Sequence, residues 1–246
     1  MAASSKKTKT GPAPSDLPVA ALLKQALDGL KAHATQADLD GMARYAIPSD
    51  QAFGVAMNKI QAVAKQFGRN HELAEALWQS GWYEARLLAA YVDDPAQMTA
   101  AQMDRWCADF DNWAVCDTLC FALFDRTPHA WAKVAKWAAK KDEFQKRAAF
   151  ALLWGLTVHD KQAGDAPYLE GLSLIEAAAT DERNFVKKAV DMALRATGKR
   201  NAALNAAAVK TARYLAKSAD PTASWIGKHA LKELTGPAVV KRVGRG

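Results

Sequence analysis

Residues 183–197 read RNFVKKAVDMALRAT, and their apolar members Phe185, Val186, Ala189, Val190, Ala193 and Leu194 recur at intervals of three and four. That period marks one buried face of an α-helix, with Lys188 and Arg195 left outside the stripe, where a solvated surface is the default reading. The rhythm continues in both directions. Toward the C-terminus it predicts helices over 201–216 and, behind the Asp220-Pro221 cap, over 222–235. Toward the N-terminus it predicts helices over 167–179, from Asp142 to about His159, and from a Thr127-Pro128 cap to Lys140, with 161–166 a loop.

The first half has the same punctuation. Residues 17–33 form an amphipathic pattern, followed by a short helix near 37–45. Pro48-Ser49-Asp50 opens a helix that stops at Gly68, with Ser49 as cap; Asn70 caps the next, which stops at Gly81. Residues 82–92 follow, ended by Asp93-Asp94-Pro95, and Thr99 with Gln102 makes a capping-box pattern for the helix to Phe110. β-branched alternation with a hairpin turn is found nowhere. The expected fold is all-α.

Helices of roughly 10–18 residues, paired about every 35–45 residues, match the rhythm of HEAT-like helical-repeat solenoids, an α-α superhelix. A compact bundle is the alternative. Residues 17–246 are read as a single helical-repeat domain, behind a basic tail (1–16) broken by Pro12 and Pro14 and read as disordered. In a two-layer stack alternate helices share a wall. Those starting near Asp50, Trp82, Asn112, Asp142, Arg183 and Thr222 then line one side, expected to be the concave one.

Half of the 246 residues are apolar, enough for a substantial core. The net charge of +7 is unevenly spread: from Asp181 on there are 14 Lys and Arg against 5 Asp and Glu, or +9, which leaves −2 for the rest. Such a basic region suits a polyanion, most often nucleic acid, or is simply a lysine-decorated surface. The odd cysteine count, Cys107, Cys116 and Cys120, and the lack of an apolar leader point to reduced thiols in a cytosol-like compartment. No run approaches a membrane span, and neither nucleotide-binding glycine motifs nor metal-ligand spacings occur, so neither cofactor nor metal is expected.

One carboxylate stands apart. In the stretch 111–125, DNWAVCDTLCFALFD, Asp117 is the ionisable group inside a nearly apolar run, with Trp113 four residues before and Phe121 four after, on one helix face. A charge there needs a partner, water or a function. By wall parity Trp113 and Asp117 lie beside Arg147 and Trp154 on the next helix, and Lys188, Met192 and Arg195 on the one after. Asp117 is either half of a structural ion pair with Arg147 or the acid of a cleft with a basic rim. Taken singly, the tryptophans are more often core than ligand platforms.

In order, WYEARLLA (82–89), DNWAVCD (111–117), KRAAFALLW (146–154) and NFVKKAVDMALR (184–195) resemble the AlkD-like DNA alkylation repair glycosylases, over about residues 43–216. The resemblance implies a HEAT-like solenoid with DNA in a positively charged concave face, Asp117 as catalytic carboxylate, Trp113 as a lesion-contacting tryptophan and Arg147 as a backbone-contacting arginine. A further family tryptophan is replaced here by Met192, for which Trp154 on the neighbouring helix is a candidate substitute. The implied activity is a metal-free, monofunctional DNA glycosylase releasing cationic alkylpurines such as 3-methyladenine or 7-methylguanine. An ionised aspartate would stabilise positive charge on the deoxyribose and position water. Arg147 is then expected to face a phosphate and touch Asp117 only loosely. Trp154, Lys188, Met192, Arg195 and Lys228 are the expected DNA-binding residues. The expected partner is double-stranded DNA with alkylated bases, bound by a monomer in the cytoplasm, nucleoid-associated when on DNA, without a membrane. The rival readings are a non-catalytic DNA-binding solenoid recognising damaged or branched DNA, and a protein-interaction repeat.

Overall fold

Side-chain caps set seven of the fourteen α-helix starts among the described residues. In the computed structural model, which describes residues 17–244, the side chains of Asn70, Thr99, Asp142, Asn201 and Asp220 each accept a bond from the backbone N–H three residues on. Each such bond satisfies a donor that a helix start leaves free, worth about 1 kcal/mol. Fourteen α-helices result among the described residues, and no strands. They are α1 (Val19–Lys31), α2 (Gln36–Met42), α3 (Met57–Phe67), α4 (His71–Gln79), α5 (Tyr83–Val92), α6 (Ala100–Ala108), α7 (Trp113–Ala122), α8 (Ala130–Ala138), α9 (Glu143–His159), α10 (Ala166–Ala178), α11 (Asn184–Thr197), α12 (Ala202–Ala216), α13 (Pro221–Leu234) and α14 (Pro237–Val243). Residues 1–16, read above as a tail, lie outside the described part.

Four sequence expectations need correction. The helix predicted to open at Pro48-Ser49-Asp50 starts only at Met57, because the backbone N–H groups of Phe53, Gly54 and Val55 are taken by the buried carboxylate of Glu84, at 2.9, 2.8 and 3.2 Å. Gly54 is required there: its φ is +78°, and a Cβ would lie 2.6 Å from the Thr35 carbonyl oxygen. Thr127 does not cap α8; its hydroxyl donates to the Phe124 carbonyl, and the helix begins at Ala130. Gln102 does not complete a capping box, since its amide reaches Glu75 and Asp93 instead of Thr99. Finally, α14 follows the last predicted helix and buries Val239 and Val243.

Successive packing of α3, α5, α7, α9, α11 and α13 makes one layer, as the alternation predicted. The other layer is stitched by tryptophans. Trp78 of α4 stacks on Trp106 of α6 at 4.4 Å, and the indole N–H of Trp106 donates to Glu75. Trp137 of α8 donates to Asp104 of α6, and Trp131 of α8 meets Tyr168 of α10 edge-on at 4.9 Å. Each indole buries a large apolar area and its N–H finds an acid, Asp109 for Trp78 and Asp160 for Trp131. Buried residues from Leu22 to Val243 form one continuous core. No helix is long and apolar enough to cross a membrane.

Candidate nucleic-acid interface

The asparagine at position 112 sets the start of α7 by bonding the N–H of Val115, and this directs Trp113 and Asp117 to the outer side of the first layer. Asp117 is not sealed in: 18% of its side chain stays exposed, and it borders two clefts. The first, of about 390 Å³, runs between the 43–46 turn and α11 and is lined by Arg44, Tyr45, Trp113, Arg147, Lys188 and Met192. The second, of about 440 Å³, lies on the other side and is lined by Tyr91, Thr118, Phe121, Arg126 and Trp154.

Arg147 departs from expectation. Its guanidinium, almost fully buried, donates through Nε to Asp117 Oδ1 at 2.8 Å and through Nη2 to Oδ2 at 2.6 Å, while Nη1 donates to the Phe185 carbonyl at 2.7 Å. It neither turns to solvent nor touches the acid loosely. The cause is its place in the second turn of α9, packed between α7 and α11, where an unpaired charge would be costly. Burial pushes the Asp117 carboxyl above its ordinary range, with the guanidinium's charge and hydrogen bonds pulling the other way. Burial disfavours the charged guanidinium too, but Asp117 outweighs it and Arg147 lies above its ordinary value. The pair is read as ionised because every bond within it runs from a guanidinium donor to a carboxylate acceptor.

The remaining predicted residues divide. Trp113 lines the first cleft and is fixed by its indole N–H bonding the Tyr45 carbonyl at 2.8 Å. Lys188 and Met192 lie one turn apart on α11 in the same cleft, Lys188 exposed. Trp154 is in the second cleft, packed edge-on against Phe121 at 4.6 Å, so Asp117 separates it from Met192 and it does not fill the place of the family tryptophan. Arg195 reaches neither cleft; it is tied to Asp191 and Glu233. Lys228 stands exposed on α13, outside both clefts.

Sequence reasoning missed Arg44 and Tyr45. Tyr45 is 62% exposed and sits in a 3-10 turn closed by Ala46 in a left-handed conformation at φ 52°. The cleft therefore has three aromatic residues, Trp113, Tyr45 and Phe185. The only sequence signal was an exposed aromatic beside an arginine at the end of a short helix. The three cysteines are buried and free; burial raises the thiols of Cys107 and Cys120, which suits packing and not nucleophilic chemistry. No group of three or more His, Cys, Asp or Glu is placed to hold a metal ion among the described residues.

A two-layer stack of helices, with an acid–guanidinium pair between two open clefts on one wall, is the architecture of a HEAT-like repeat protein. The match of residues 26–234 to the family described as DNA alkylation repair enzymes shows that the chain belongs to that family. Among solved structures, a protein described as one of a new family related to the HEAT-like repeat DNA glycosylases, with affinity for branched DNA structures, is similar at a TM-score of 0.72. The match covers 90% of this chain and 96% of that one at 21% identity, which establishes the shared fold. A search of curated proteins gives no match.

Proposed function

We propose that this protein binds duplex DNA along the α3 to α13 wall and hydrolyses the N-glycosidic bond of cationic alkylpurines, with Asp117 as the catalytic carboxylate. The observation that carries the reading is an acid held in one orientation at the floor of an open cleft, beside Trp113 and Tyr45 and under the cations Arg44 and Lys188. An alkylated purine is already a good leaving group, so a strong general acid is unnecessary. The remaining demand is to stabilise positive charge developing on the sugar.

The ion pair limits how much Asp117 can supply. A lone carboxylate about 4 Å from a unit charge gains roughly 4 kcal/mol at an effective dielectric of 20. A guanidinium charge about 4 Å further away takes back roughly half. About 2 kcal/mol remains, near 30-fold in rate, and an indole face adds roughly 0.5–2 kcal/mol of attraction to the cation. Arg147 is thus a positioning residue for Asp117, not a phosphate clamp. The protein acts as a monomer on nucleoid DNA in the cytoplasm.

A second reading is favoured by Met192, which stands where the family resemblance has tryptophan, and by the shared charge of Asp117: DNA binding without base release. The structural relative described by its affinity for branched DNA supports that alternative. One experiment separates the two. Methylated duplex DNA is incubated with the protein and with Asp117→Asn, and released 7-methylguanine and 3-methyladenine are measured beside salt-dependent binding. The proposal expects release that falls at least about 30-fold in the variant while binding persists. Binding with no release by the wild type selects the second reading, and undiminished release by the variant removes Asp117 from the mechanism. Because Lys188 lines the same cleft, the assay also reads strand cleavage, which a monofunctional enzyme lacks.

A further inference from the structure

One turn into α13, Trp225 is 42% exposed and is used by nothing described so far. His229, one turn further on, stacks against it with ring centroids 5.0 Å apart and planes 13° from parallel. The imidazole is not free to rotate, because its Nδ1 meets both carboxylate oxygens of Asp191 at 2.9 and 3.0 Å, and Asp191 is itself gripped by Arg195. From α11, the Lys187 ammonium lies over the Trp225 ring, 5.1 Å from its centre. A pre-oriented aromatic pair, 42% of Trp225 exposed, thus carries a mobile cation where a flat ring could stack.

We infer that the Trp225–His229 pair is a stacking platform for an unpaired nucleobase, which takes the place of the Lys187 ammonium over the indole, with Lys187 and Lys228 then neutralising the phosphates that flank it. Three observations point to a nucleic-acid strand as the occupant. Charge is complementary: the acid nearest the platform, Asp191, is already spent on His229 and Arg195, and neither Lys187 nor Lys228 is in an ion pair among the described residues. The platform continues the interface described above, since α11 presents Lys188 and Met192 to the Asp117 cleft and Lys187 and Asp191, on the adjoining rows, to α13. Packed helices lie about 8–10 Å apart, so a strand leaving the cleft across α11 meets Trp225 within a few nucleotides. A paired base keeps its faces inside the duplex, whereas an unpaired one offers a π-face that stacks on an aromatic ring regardless of sequence.

This inference rests on the DNA-binding reading of the same wall, and the test keeps the two apart. Affinity is measured by fluorescence anisotropy for a blunt duplex and for the same duplex carrying a short single-stranded overhang, with wild type, Trp225→Ala and Trp225→Phe. The wild type is expected to prefer the overhang by about 10-fold, Trp225→Ala to lose that preference while holding the blunt duplex within about twofold, and Trp225→Phe to keep part of it. Equal affinity of the wild type for the two DNAs, or a preference that survives in Trp225→Ala, overturns the platform and leaves duplex binding standing. Failure to bind either DNA overturns both readings. The circular-dichroism melt of each variant confirms that loss of preference is not loss of fold.

Discussion

Arg147 holds Asp117 through two parallel bonds while its third nitrogen reaches the Phe185 carbonyl, so one guanidinium joins α7, α9 and α11 beneath the cleft. Removing one partner of such a buried pair leaves the other charge stranded, at a cost of about 3 kcal/mol or more. Arg147→Ala is expected to lose that much stability in urea denaturation, and Arg147→Lys, which cannot fork, to lose a substantial part of it. A change under about 1 kcal/mol for Arg147→Ala would mean that water repairs the pair and that the cleft floor is softer than its geometry implies.

Glu84 plays a comparable part for the opposite rim. Fully buried, it accepts three backbone N–H bonds from Phe53, Gly54 and Val55 and so holds the non-helical 47–56 segment that follows Tyr45. Hydrogen bonds to a charged acceptor contribute about 1.5–3 kcal/mol each, and those donors have no other partner nearby. Glu84→Ala should therefore cost about 4 kcal/mol or more and open 47–56 to limited proteolysis. Because Trp113 bonds the Tyr45 carbonyl, its fluorescence should change in the same variant. Protease resistance equal to wild type would show that the segment is held elsewhere.

How far the sequence could be read follows the range of the interactions. Asn70, Thr99, Asp142 and Asp220 act on N–H groups a few residues away, and the helix starts they imply are where the structure has them. Pro48-Ser49-Asp50 carries an equally good local signal and misleads, because Glu84, about thirty residues on, takes the backbone donors of the segment. The cleft shows the same division. Residues on one helix face, Trp113 with Asp117 or Lys188 with Met192, were placed together by spacing alone. The sequence offers both an Asp117–Arg147 ion pair and, from the family resemblance, an Arg147 turned to a phosphate; spacing cannot choose between them, and the packing of α9 between two neighbours decides for the pair. Tyr45 was missed because it reaches Trp113 across 68 residues of sequence.

Asp181 gives the fold a pH-dependent clasp. It accepts two bonds from the Arg183 guanidinium and one from Lys146 of α9, and these hold its carboxyl at about 2, below its ordinary value, against the opposing effect of burial. A carboxylate whose folded-state pKa is depressed adds stability above its unfolded pKa of about 3.9 and loses it as pH falls toward the folded value. The increment, discounted for solvent screening, is about 1–2 kcal/mol. Thermal melts of wild type and Asp181→Asn should therefore differ most at neutral pH and converge as pH falls from about 4 to about 2. A constant difference over that range would assign the effect to packing and not to charge.

Lys188 and Arg195 are seven residues apart on α11 and look alike in the sequence, yet the fold gives them different work. Lys188 is exposed on the Asp117 cleft, whereas Arg195 bridges Asp191 and Glu233 and is largely covered. A cation that meets a phosphate releases a counterion, and its loss lowers the salt dependence of binding by about one unit of slope in log K against log salt. One already spent on two carboxylates has little charge left to give. Lys188→Ala should thus flatten the salt dependence of DNA binding by about one unit with no change in melting temperature. Arg195→Ala should leave the slope intact and lower stability, because Asp191 then loses one of its two partners. The reverse pattern would place the DNA on the α13 side of α11 and away from Asp117, and with it the assignment of that aspartate as the catalytic acid would fall.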